Sequence, residues 1–193
     1  MAISLAKGQK ISLEKEAGGA LTRIVMGLGW DVAQKKGFLG KLSGPASVDL
    51  DASCVMFDAN KQAVDAIWFQ QLNSKDGSIR HTGDNLTGAG DGDDEQIIVD
   101  LTKVPSNVEA LVFVVNSFTG QNFSQIENAF CRVVNGSSNQ EIARYNLSAQ
   151  GAHTAQIMAK IYRHNGEWKM HALGDIASGR TFHELMPAMQ ASL

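Results

Sequence analysis

Zinc-ligand spacing, basic blocks and long apolar runs are all missing from this chain of 193 residues. No Cys-x-x-Cys occurs, and His81, His153, His164, His171 and His183 form no H-x-x-x-H pair, which argues against a structural or catalytic zinc site. The chain holds two cysteines, Cys54 and Cys131, each in apolar, strand-like surroundings. They read as buried free thiols rather than a disulfide. Lysines and arginines are scattered and never interleave with aromatics, so nothing points to a nucleic-acid surface. The longest apolar run, 110–115, is far too short to span a bilayer, and the first eight residues lack the apolar core of a signal peptide. The expected location is the cytoplasm, with no direct membrane span. No strand-turn-helix G-x-S-x-G offers an exposed nucleophile.

Against that background one stretch stands out, Gly83-Asp84-Asn85-Leu86-Thr87-Gly88-Ala89-Gly90-Asp91-Gly92-Asp93-Asp94-Glu95. It carries five carboxylates, one amide, four glycines and no lysine or arginine. The net charge of -3 is local in origin, since without these five acids 17 bases face 15 acids. Two like charges about 4 Å apart repel by roughly 4 kcal/mol at an effective dielectric near 20, so such a cluster calls for a compensating cation. Glycine lets backbone approach a ligand closely, while Asp, Asn and Glu supply hard oxygens. That chemistry suits calcium better than zinc.

The remainder of the chain alternates polar and apolar residues with period two over 10–14, 21–29, 48–57, 64–71, 95–101, 109–117, 127–134, 141–147, 155–164 and 168–173. About ten short strands separated by turn residues predict a mainly all-β fold, a β-sandwich formed by a single domain over 1–193. Helix is scarce. Thr181 and Glu184 have capping-box spacing ahead of Leu185, Met186 and Met189, which predicts one short C-terminal helix that Pro187 should bend or shorten. Ser124 and Glu127 share that spacing and suggest a single helical turn between strands. Residues 32–47 fit no period and read as an inserted loop.

Alternation also sorts the acids. On a strand Asp49 and Asp51 point to one face, opposite Val48, Leu50, Ala52 and Cys54. If 91–95 is extended, Asp91, Asp93 and Glu95 share a face and Asp94 points away. Asp84 and Asn85 can fold back across the glycine-rich bend, and Asp31 follows Gly27-Leu28-Gly29-Trp30, where Trp30 packs and holds the strand end. Together these groups can supply the six to eight oxygens that Ca²⁺ takes. The segment is not an EF-hand, because counting from Asp91 places Gln96 where that motif needs glycine and Thr102 where it needs glutamate.

Gly27-Leu28-Gly29-Trp30-Asp31, Asp49-Leu50-Asp51-Ala52-Ser53, the 83–95 stretch, Ala143-Arg144-Tyr145 and Tyr162-Arg163-x-Asn165-Gly166-x-Trp168 resemble the TerD family of bacterial tellurite-resistance and stress-response proteins. The insertion before Asp49 and the run Asn128-Ala129-Phe130-Cys131-Arg132-Val133-Val134 look more like the TerZ branch. The resemblance covers nearly the whole chain. It implies a β-sandwich whose loops bind calcium, commonly two ions, without an established enzymatic activity. Carried over position by position, it implies Asp31, Asp49, Asp51, Asp84, Asn85, Asp91, Asp93 and Glu95 as ligands, with Gly90 and Gly92 allowing close backbone approach. Asp94 joins them only if the loop bends. The implied partners are other tellurite-operon products, including an integral membrane protein of the inner membrane.

Two further functional classes are compatible with the same acids. A Mg²⁺- or Mn²⁺-dependent phosphoester hydrolase would need a base and a cationic phosphate-binding group, and no such set stands out by spacing. A calcium-dependent lipid or carbohydrate binder would use the ion as a bridge to ligand oxygens.

Overall fold

In a computed structural model the described residues are 2–32, 50–83, 92–146 and 151–193. The period-two segments form two six-stranded sheets. The first runs β1 (Ile3–Ser4), β10 (Glu141–Asn146), β9 (Ile126–Asn135), β3 (Arg23–Val32), β7 (Glu95–Asp100), β6 (Ile79–His81). The second runs β2 (Lys10–Ser12), β12 (Glu167–Ala177), β11 (Ala155–His164), β8 (Val108–Ser117), β4 (Leu50–Asp58), β5 (Ala63–Ile67). Neighbours pair antiparallel except β1 with β10. The expected β-sandwich is therefore the observed fold.

The sheets face each other across one core. Leu28, Ile97 and Cys131 of the first sheet share it with Cys54, Phe113 and Met158 of the second. Each large apolar side chain so buried stabilises the fold by about 1.5–3 kcal/mol. The second sheet is covered on its outer face as well, where Val55, Phe57, Val112 and Val114 pack against Phe182, Leu185 and Met189 of α2 (Phe182–Ala191). Burial on both faces explains why β4 is buried from Leu50 through Phe57 rather than alternately.

The expected helical turn and C-terminal helix are present, with local differences. The strand expected over 10–14 ends at Ser12, because Ser12 caps a short helix, α1 (Leu13–Ala17), accepting from the Lys15 N–H. Gly18 closes that helix at φ 77, a conformation that favours glycine. The expected turn near Ser124 is a 3-10 turn over Phe123–Gln125, capped by Asn122, whose side chain accepts from the Ser124 N–H. At α2 the Thr181 side chain makes no cap bond, and Glu184 accepts instead from the Arg180 N–H at 3.0 Å. Pro187 does not shorten this helix, which continues to Ala191; its Phe182, Leu185 and Met189 stripe is anchored on the sheet, and that packing outweighs a cost of about 3 kcal/mol. Strands β1 and β6 are too short to have given a periodic signal.

Of the expected loop 32–47, residues 33–47 lie outside the described residues, as do Asp49, Asp84, Asn85, Gly90 and Asp91. Among the described residues no helix is long and apolar enough to cross a membrane.

Candidate metal centre

The acidic segment ends in β7, which pairs with β3. Gly27 pairs with Gln96 on one side and Arg132 on the other, so the three residues form one row across the first sheet. Asp93 lies over that row. Its Oδ1 accepts from Arg132 Nε at 2.7 Å, and its Oδ2 accepts from Arg132 Nη2 at 3.0 Å and Gln96 Nε2 at 3.0 Å. A β-carbon on Gly27 would collide with this carboxylate, which gives the first glycine of Gly27-Leu28-Gly29 its reason. A β-carbon on Gly29 would strike the Phe130 ring and the Gly92 carbonyl. Arg132 also donates through Nη1 to Glu141 Oε2 at 3.0 Å, and the hydrogen bond to Asp93, ahead of that to Glu141, holds the guanidinium firmly charged.

Asp94 and Glu95 turn elsewhere. A bulge between Gly29 and Asp31 interrupts the pairing of β3 with β9 at Trp30. The Trp30 N–H donates to Asp94 Oδ2 at 2.8 Å, while the Asp94 N–H donates to the Leu28 carbonyl at 2.8 Å. The Trp30 side chain itself is buried in the core, as its position at the strand end led us to expect. Burial raises the Asp94 carboxyl pKa, the Trp30 N–H opposes the rise, and repulsion from Asp31, Glu95 and Asp93 adds to it. Asp31 accepts through Oδ2 from Asn128 Nδ2 at 2.8 Å.

Glu95 is 1 % exposed and reaches across the sandwich, accepting through Oε2 from the Ala52 N–H at 2.7 Å. His81 Nε2 lies 3.3 Å from the same oxygen. His81 Nδ1 accepts from the Gly83 N–H at 3.0 Å, so a neutral ring carries its proton on Nε2, facing Glu95. Gly83, where the acidic stretch begins, is thus bonded to the imidazole that Glu95, where the stretch ends, approaches to 3.3 Å.

The expectation that Asp93 and Glu95 share a face is overturned. Strand β7 begins only at Glu95, Gly92 has φ 111, and the bend sends Asp93 to the outer face of the first sheet while Glu95 enters the interior. Asp94, expected to point away, is the acid that Asp31 and Glu95 crowd. Asp51 does lie opposite the core face of β4, paired with Asn116, but that face is not open: Asp51 is 5 % exposed. It neighbours Ala52, whose amide Glu95 holds. Among the described residues no three His, Cys, Asp or Glu side chains converge closely enough to hold a metal ion.

The TerD domain family matches residues 1–187. The chain belongs to the TerD family. It is 50 % identical over 184 residues to tellurium resistance protein TerZ of Serratia marcescens, covering 95 % of this chain and 94 % of that protein. It is 48 % identical over 185 residues to stress response protein SCP2 of Bacillus subtilis (strain 168), covering 91 % and 92 %. A solved homologue of telluride resistance protein (TerD) from Streptomyces coelicolor A3(2) shares the fold, with a TM-score of 0.69 at 18 % identity, over 86 % of this chain and 96 % of that one. In this TerD-family protein Arg132, Gln96, His81 and Asn128 are neighbours of the acids that local sequence patterns do not single out. Only Arg132 carried a signal, since alternation from buried Cys131 turns it to the outer face.

Proposed function

We propose that this TerD-family protein is a non-enzymatic, calcium-binding module of tellurite resistance and the wider stress response, acting in the cytoplasm through protein partners. The observation that carries the calcium reading is Asp94, a carboxyl held partly out of water beside Asp31 and Glu95 with its pKa raised by burial and by their charge. A divalent cation relieves that repulsion. The donors near it are hard oxygens, which suit Ca²⁺. Asp31, Asp49, Asp51, Asp84, Asn85, Asp91, Asp94 and Glu95 would hold the metal, with Gly90 and Gly92 allowing close backbone approach, two ions being the expected complement.

The names of its relatives in Serratia marcescens and Bacillus subtilis support the resistance and stress role. In this reading the ions fix the loops, and the fixed loops form the surface that other tellurite-operon proteins, among them an integral membrane protein, recognise. Calorimetric titration of the purified protein with calcium tests it. Saturable uptake that is weakened by Asp49→Asn, Asp84→Asn or Asp94→Asn is expected; no uptake by the wild type overturns the reading. Phosphatase assays with Mg²⁺ or Mn²⁺ should give no rate, and a rate abolished by Asp94→Ala would favour the hydrolase alternative.

A further inference from the structure

Asp93 and Asp94 are consecutive, yet their carboxylates have different company. Asp93 has its side chain 1 % exposed and both oxygens occupied by three hydrogen bonds, two of them from one guanidinium. A carboxylate offers about four acceptor directions, so three of those of Asp93 are already taken, and solvent scarcely reaches the side chain. An ion bound to Asp93 would also sit beside the Arg132 guanidinium and be repelled by it.

We propose that Arg132 and Asp93 form a clamp fixing where the acidic segment enters β7, and that Asp93 is a positioning residue rather than a calcium ligand. The clamp is built from three strands and one glycine. Arg132 on β9 grips Asp93 with Nε and Nη2 and Glu141 on β10 with Nη1, while Gly27 on β3 leaves the space Asp93 occupies. With Asp93 pinned to the outer face, the next residue takes the Trp30 N–H and the one after it crosses to Ala52. Releasing Asp93 therefore releases the aim of Asp94 and Glu95. This rests on the calcium reading of the preceding subsection, and it removes Asp93 from the ligands that the family resemblance implies.

The test is calcium titration of the full chain by calorimetry, comparing wild type, Asp93→Asn, Arg132→Gln and Asp94→Asn. The clamp predicts that Asp93→Asn and Arg132→Gln bind as many ions as the wild type, each with affinity lowered roughly 10- to 100-fold, as for residues that orient ligands. Asp94→Asn should lose an ion or bind it far more weakly than either. If Arg132 merely competed with the ion for Asp93, Arg132→Gln would bind calcium more tightly; that result, or an ion lost in Asp93→Asn, overturns the proposal. Thermal melts in EDTA provide the second readout. The Asp93→Asn, Arg132→Gln double variant should melt no lower than the poorer single variant, whereas additive losses overturn the clamp. A wild type that takes up no calcium would sink the calcium reading alone, and the EDTA melts would still decide whether the pair is coupled.

Discussion

The middle of the sandwich and its acidic end are built from the same strands by different forces. Around Phe113, Cys54 and Met158 the sheets exclude water with apolar side chains, all at most 3 % exposed, and no charge is needed. At the end where β7 begins, three consecutive acids are separated by direction, with Asp93 going to a guanidinium, Asp94 to a backbone amide of β3 and Glu95 to a backbone amide of β4. The middle is stable by burial alone. The end is stable only insofar as each carboxylate has found a donor, and Asp94 is the acid whose pKa burial raises, with repulsion from Asp31, Glu95 and Asp93 adding to the rise.

The contrast can be broken from either side. Phe113→Ala should cost about 3–5 kcal/mol, the usual loss for a large aromatic in a closed core, and the loss read by denaturant melts should be the same with calcium or EDTA. Arg132→Gln leaves Asp93 without its cation. Removing one partner of a fully buried pair costs about 3–5 kcal/mol; Arg132 is 29 % exposed, so water screens the loss to about 2–3 kcal/mol.

Acid should act through two histidines outside the apolar core, His153 beside Phe123 and His171 between Lys10 and Lys160. Burial lowers the pKa of His153, and burial with Lys10 and Lys160 lowers that of His171. The unfolded chain therefore takes up their protons first. Their stabilising contribution is complete above the unfolded value of about 6.5 and is lost as pH falls through the lower folded values. Melts at pH 7.5 and 5.5 should show the decline, and His153→Gln should flatten it. The smallest effect is expected at the thiols, since burial pushes Cys131 up to about 12 and Cys54 higher still. Neither should be alkylated in the native protein over a time in which the unfolded chain reacts completely, as read by mass spectrometry.

Period two made the middle legible. Leu28 and Cys131, or Cys54 and Phe113, face the core because alternation puts them there, and the strand boundaries from β7 to β11 follow the apolar pattern closely, while β12 runs past it to Ala177. The acidic end followed a different logic. Extending the alternation of β7 back to Asp93 assumed a strand that begins two residues later, and the Gly92 bend reverses the result. The compensating cation that five acids call for is read from the sequence as a metal ion. Part of it is Arg132, 39 residues away, brought in by the pairing of β3 with β9, which no local window reveals. Helix α1 escaped for a related reason, since Ser12, Glu14, Glu16 and Gly18 carry helix-end chemistry in a stretch too short for a helical period.

The most direct test of the central claim is a pair of calorimetric melts, wild type and Asp94→Asn, each in EDTA and in millimolar calcium. A raised carboxyl pKa contributes stability below its unfolded value that is lost as pH rises through the folded value, so at neutral pH the Asp94 charge disfavours the metal-free fold. The account predicts that Asp94→Asn melts at or above the wild type in EDTA. It also predicts that calcium at 100 times its dissociation constant stabilises the wild type by about 2.7 kcal/mol per site, about 5–10 °C, and stabilises Asp94→Asn less. A wild-type melt that calcium leaves unmoved would contradict it.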